Sequence, residues 1–156
     1  MYSHRSAVNE DYKTISLFPQ DARELFFVYP KGSYPLTAAK LQEVAQSRVN
    51  PLVVLDNGVI VGYGNLYDVS EDECWLGNVI IRPSYRGKGV GRYLIETMKA
   101  YAKSELSVKR FRLVCHNINT KALLFYTKLD FKPFDVKVMT DNEGNEMIGI
   151  KMEVRL

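Results

Sequence analysis

Arg86-Gly87-Lys88-Gly89-Val90-Gly91 lies between two apolar runs, Cys74 to Ile81 (CWLGNVII) before it and Val90 to Ser104 after it. The first run has the length and β-branched content of a strand and is stopped by Pro83, because proline cannot continue a ladder. The second places Val90, Leu94, Ile95, Met98, Tyr101 and Ala102 on one helical face. A glycine-rich turn between a strand and a helix lets the backbone approach a ligand without Cβ clashes. The helix start presents unpaired N–H groups and the positive end of the helix dipole. Arg86, Lys88 and Arg92 add cations, so the local chemistry is that of a pyrophosphate site. Two nucleotide signatures are excluded. The P-loop needs four residues between its glycines and a Gly-Lys-Ser/Thr ending. The dinucleotide fingerprint needs G-x-G-x-x-G, and the spacing here is G-x-G-x-G.

Outward from this turn, Arg110 to Cys115 reads as a strand. Thr120 to Leu129 reads as a helix with Asn119 as its cap. Val136 to Thr140 and Met147 to Val154 form a hairpin around Asp141-Asn142-Glu143-Gly144. Upstream, Leu52 to Leu55 and Val59 to Tyr67 flank Asp56-Asn57-Gly58, and Asn-Gly is the strongest short hairpin signal. Thr37 to Arg48 reads as a helix capped by Thr37. Asp21 to Tyr29 reads as another helix, and Tyr12 to Phe18 as a first strand. Met1 to Asn9 is polar, with no apolar signal segment, and is expected to hold whatever disorder the chain has. The order is strand, two helices, three strands, helix, strand, helix, two strands. This predicts a mixed α/β fold over residues 1–156 as one domain, with a central mixed, mostly antiparallel sheet flanked by about four helices.

The chain's 156 residues suffice for a packed core without disulfide or metal. A formal net charge of +3 is too mild, and too dispersed, for nucleic acid. It suits an anionic ligand if the excess gathers at one place. Cys74 and Cys115 sit in apolar runs and read as buried thiols. With only His4 and His116 beside them, no metal set forms. No apolar run approaches the ~20 residues of a membrane span, so a cytoplasmic protein is expected.

Two motifs together resemble the GNAT superfamily of N-acetyltransferases. Gln/Arg-x-x-Gly-x-Gly/Ala is matched by Arg86, Gly89 and Gly91, after Val79-Ile80-Ile81-Arg82-Pro83-Ser84-Tyr85. Asn-x-x-Ala, then a tyrosine, then Gly-Phe, is matched by Asn119, Ala122, Tyr126 and Phe131. Asp130 replaces the usual glycine and can take the left-handed conformation at some cost. The resemblance covers Leu52 to Phe134 and implies an enzyme, an acyltransferase using acetyl-CoA as acetyl donor.

What the resemblance implies falls on individual residues. The backbone of Val79, Ile80 and Ile81 would pair with the pantetheine arm as an added strand, and a strand N–H at Val79 or Ile81 would meet the oxyanion. The N–H groups from Arg86 through Gly87, Lys88, Gly89 and Val90 to Gly91 would hold the pyrophosphate, with Arg86 and Lys88 able to pair with its oxygens. Asn119 would lie near the cofactor arm while also capping its helix. Tyr126 would give a proton to the departing thiolate, as a phenol of pKa ~10 can; without the resemblance it reads as a core tyrosine. For the base that takes the amine's proton, Glu73, the neighbouring Asp68, Glu71 and Asp72, His116 and a water relay all stand open.

The acceptor site falls, on the same analogy, to the first two helices and the C-terminal hairpin. Phe26 to Pro35 (FFVYPKGSYP) reads either as an aromatic wall of that pocket or as a helix end packed on the core. No acidic cluster there favours a polycation such as spermidine or an aminoglycoside. The expected acceptor is a small molecule or an amino-acid-like amine. The alternatives are a protein lysine or N-terminal acetyltransferase and a non-catalytic acyl-CoA-binding regulatory domain. The exposed edge of a terminal hairpin could pair two subunits into a homodimer.

Overall fold

The computed structural model describes residues 1–156. Seven strands form one sheet: β1 (Tyr2–Ser6), β2 (Val49–Asp56), β3 (Val59–Tyr67), β4 (Glu73–Ile81), β5 (Arg110–His116), β6 (Lys132–Thr140) and β7 (Glu146–Arg155). Their order across the sheet is β1-β2-β3-β4-β5-β7-β6. Only the β4–β5 pair is parallel, so the sheet is mixed and mostly antiparallel. Helices α1 (Asp11–Ile15), α2 (Ala22–Val28) and α3 (Ala38–Gln46) belong to one face. Helices α4 (Val90–Tyr101) and α5 (Thr120–Lys128) belong to the other. No helix is long and apolar enough to cross a membrane.

The predicted turn and caps are present. Asn57 and Gly58 both take positive φ, 48° and 81°, as the two-residue β2–β3 turn requires. The Asp21 carboxylate accepts from Glu24 N–H, the Thr37 hydroxyl from Lys40 N–H and the Asn119 side chain from Ala122 N–H. Asp130 sits at φ 67°, left-handed, where α5 ends.

Two readings are corrected. Tyr12 to Phe18 is not a strand: it forms α1 and the turn that follows. Tyr12, Ile15 and Phe18 recur every third residue and are all buried against β3 and the other helices of that face, a helical spacing that alternation had masked. The first strand is instead Tyr2–Ser6, inside the segment expected to be least ordered. Its sequence carries no strand pattern because its order comes from elsewhere. It pairs with β2, the Tyr2 hydroxyl donates to Lys88 O at 2.7 Å, and Arg5 forks onto buried Asp11 at 2.7 and 3.0 Å.

The sheet is split where the site lies. β4 and β5 are registered only at Glu73–Arg110, Cys74–Phe111 and Trp75–Arg112, and beyond these pairs no ladder joins them. Each strand stays with its other neighbour: β4 pairs with β3 as far as Ile81, and β5 pairs with β7 along its whole length. Asn78, at φ 49°, is the extra residue of a bulge, since Gly77 to Ile80 faces only Asn65 to Tyr63. A bulge bends its strand and raises its twist, which turns the end of β4 away from β5.

α4 can lie close to the sheet because β3 has no side chain beneath it at two points. A Cβ on Gly62 would sit 2.8 Å from Val90 Cγ1, and one on Gly64 would sit 3.1 Å from Leu94 Cδ2. Val90 is the first residue of α4 and its β-branched side chain has little rotamer freedom. Gly62→Ala is therefore expected to push out the start of α4 and destabilise the protein by about 1–3 kcal/mol. A lower urea midpoint with unchanged m-value checks this.

Candidate active site

The open seam between β4 and β5 continues into a cleft of about 1100 Å³ that reaches both faces of the sheet. On the α4–α5 face its wall includes Val79, Ile81, Leu113, Cys115, Asn119 and Tyr126. On the other face it includes Phe27, Tyr29, Arg48, Tyr67, Asn78 and His116. The tip of the β6–β7 hairpin meets the loop after α2 through Asn142 Nδ2, which donates to Gly32 O at 3.5 Å.

The backbone of β4 is available to a ligand along this seam. Arg82 N–H donates to Val61 O on the β3 side. Alternate residues of a strand send their N–H groups to the same side, so those of Ile81 and, two residues back, Val79 face the seam. At the end of β4 the glycine-rich turn reaches α4 with Gly87 at φ 74° and Gly89 at φ 90°. No side chain caps α4, which leaves its first N–H groups without intrahelical partners.

The cations of the turn are placed differently from one another. Arg86 donates to Glu24 Oε1 at 2.8 Å, and its guanidinium also reaches Phe18 O. It is thus already paired with a carboxylate on α2. Lys88 is exposed and its ammonium stands over the Tyr85 ring, 5.6 Å from the centroid. Gly87 and Arg86 line the cleft, while Val90 is buried beneath the turn and Gly91 packs toward Phe125. Lys121, on α5, lines the cleft with no acidic partner within 4 Å.

Tyr126 projects from α5 into the cleft, its ring packed edge-on to Phe131 and close to Phe125. Burial pushes its pKa well above 10, with the Cys115 thiol adding to the shift. The phenol therefore stays protonated at any physiological pH. Cys115 is itself buried, and desolvation pushes its thiol up to about 12. With no cation to stabilise a thiolate it is not an activated nucleophile.

Of the base candidates, Glu73 lies outside the cleft. Its carboxylate accepts from Arg112 Nη1 at 3.0 Å and from Trp75 Nε1 at 2.7 Å, at the paired end of the β4–β5 seam. Asp72, beside it, meets Arg110 at 3.4 Å, and none of Asp68, Glu71 and Asp72 lines the cleft. His116 does. It is 3% exposed, lies under the rings of Phe26 and Phe27 with centroids 4.9 and 5.5 Å away, and its Nε2 has no hydrogen-bond partner. Desolvation, and then Lys137, hold its pKa below the ordinary 6.5, so it is neutral at pH 7. The segment from Phe26, near the end of α2, into the loop that follows serves both roles read for it: Phe26 is in the core, while Phe27 to Lys31 line the cleft.

The residues that sequence reasoning missed are Asn65, Asn78 and Arg48. Asn65 is fully buried and accepts from Arg48 Nη1 at 3.1 Å. Its amide donates to the Tyr63 hydroxyl at 3.1 Å and to Asn78 Oδ1 at 2.9 Å. Asn78 in turn donates to Val28 O at 2.9 Å, at the C-terminal end of α2. The network joins the bulge of β4 to the helix end that walls the cleft. Polar residues inside an otherwise apolar strand run, Asn65 and Asn78, were the available signal.

A model of the acetyltransferase (GNAT) family matches residues 15–131. Mycothiol acetyltransferase from Thermomonospora curvata is 31% identical over 77 residues, 49% of this chain and 26% of that protein. The match thus spans about a quarter of that relative's length. Spermidine N-acetyltransferase from Vibrio cholerae, solved in complex with CoA and spermine, superposes with a TM-score of 0.83 at 20% identity, over 99% of this chain and 95% of that one. The ribosomal-protein-S18-alanine N-acetyltransferase from Escherichia coli superposes with a TM-score of 0.73 at 18% identity, over 99% and 94%. At these identities the likeness is one of fold.

His116 also links stability to pH. Its pKa is depressed in the folded chain, so the unfolded chain binds the proton more tightly. The stability it contributes is full above the ordinary value near 6.5 and is lost as pH falls through the depressed one. Between pH 7.5 and 5.5 the urea midpoint of wild type is expected to fall more than that of His116→Phe, which fills the same space between aromatic rings and does not titrate.

Proposed function

The chain belongs to the acetyltransferase (GNAT) family, and from that premise we propose that it moves the acetyl group of acetyl-CoA to the primary amine of a small, amino-acid-like acceptor. The observation that carries the proposal is the open β4–β5 seam, with strand N–H groups facing it and an uncapped helix start at one end. These suit the two parts of an acyl-CoA arm that need partners. Amides can add to a free strand edge, and phosphates favour a helix N-terminus entered through glycines.

Bound acetyl-CoA supplies an activated thioester, which the acceptor amine attacks directly to give a tetrahedral oxyanion and then a free thiolate. A direct transfer fits the chain better than one through an acetylated cysteine, because Cys115 is held as the thiol. The N–H of Ile81 or Val79 stabilises the oxyanion from a fixed position, with no reorganisation during reaction. Tyr126 gives its proton, or a hydrogen bond, to the thiolate. Burial disfavours both anions in the same place, so a raised phenol pKa does not disqualify it. His116 Nε2, neutral and unpaired, accepts the proton of the amine. Glu73, committed to Arg112, has no part in this scheme.

Thiol release from acetyl-CoA, measured against a panel of amines, tests the proposal. Wild type is expected to turn over, with Tyr126→Phe binding acetyl-CoA equally well and losing about 10²-fold or more in kcat. Unchanged kcat in the variant would remove Tyr126 from the mechanism. A folded wild type that binds no acyl-CoA by calorimetry would overturn the whole reading.

A further inference from the structure

We propose that the acceptor carries a carboxylate and that Arg48 is the residue that recognises it, an inference that rests on the acetyl-transfer reading above. The charges lining the cleft are uneven: Lys31, Arg48, Arg86, Lys121 and Lys137 against Glu24 alone. Glu24 is already paired with Arg86 at 2.8 Å. Arg48, Lys31 and Lys137, on the face away from Tyr126, have no carboxylate within 4 Å. Lys31 and Lys137 stand at the exposed rim, whereas Arg48 is half-buried.

Arg48 is held as a built site would hold it. Its guanidinium lies over the Tyr67 ring, 4.5 Å from the centroid. Its Nη1 is fixed by buried Asn65, whose remaining capacity is taken by Tyr63 and Asn78. The space it crosses exists because residue 77 is glycine: a Cβ there would collide with Nη1 and with the Tyr67 ring. One nitrogen is therefore tied back while the rest of the fork is left to the cleft. A planar fork with fixed orientation is suited to a carboxylate, which accepts two parallel hydrogen bonds from it.

The same wall disfavours a polycation. A polyamine would bring further positive charge beside Arg48, Lys31 and Lys137 with no acid to receive it, and like charges brought together are costly. A zwitterionic acceptor gains on both counts. Its carboxylate meets Arg48, and its ammonium, in a cationic cleft, loses its proton more readily, which helps the attack.

The test compares L-amino acids with their amides and with the amines that lack the carboxyl group. Binding to the CoA-loaded protein is measured by calorimetry and acetylation by thiol release. At least one amino acid is expected to bind and react, with its amide weaker by about 10²-fold in kcat/KM. Arg48→Gln should remove that difference by weakening the amino acid alone, while acetyl-CoA affinity stays unchanged. Arg48→Lys, which keeps the charge without the fork, should recover only part. The inference is overturned if no amino acid binds the CoA-loaded protein, if amides and polyamines react as well as acids, or if Arg48→Gln weakens acid and amide equally. Loss of acetyl-CoA binding by wild type would be a different failure, that of the enzyme reading itself.

Discussion

A sheet holds its strands together by hydrogen bonds, and here the decisive constraint is the place where those bonds stop. β4 and β5 share three registered pairs and then part. Backbone groups in a protein interior are almost always satisfied, so a seam of this kind persists only where solvent or a ligand reaches it. The bulge at Asn78 maintains the parting, and the buried amides of Asn65 and Asn78 hold the bulge in register with α2. The cleft, the exposed N–H groups of β4 and the approach of the glycine-rich turn all follow from that parting.

Much of this was legible in the sequence wherever the signal is local. Asn57-Gly58 specifies its turn through backbone conformation alone. Thr37 and Asn119 are caps because a short polar side chain can reach a free N–H three residues on. Asp130 stops α5 in the left-handed conformation foreseen for it. The spacing of glycines and cations after β4 marks the helix start that a phosphate would seek.

What was not legible depends on partners far away in the chain. Tyr2–Ser6 is a strand because β2 lies beside it and because Arg5 finds Asp11; nothing within the five residues says so. Tyr12 to Phe18 offered both periods, and the packing of Tyr12 against Tyr63 belongs to the helical one. Glu73 stood open as a base from its place at the start of the strand leading to Val79, yet Arg112, 39 residues away, already holds it. Arg48 drew no notice as the end of a helical pattern. Its placement needs Gly77, Tyr67 and Asn65, which no window of sequence shows together.

The contact between Asn142 and Gly32 makes the two faces of the cleft unlike. By joining the hairpin tip to the loop after α2 it bounds one face of the seam, while the face bearing Tyr126 is walled by α5 and the turn at Arg86 and Gly87. A cleft lined from both faces of the sheet gives two molecules separate sides from which to approach one seam; under the acetyl-transfer proposal these would be the acyl-CoA and the amine.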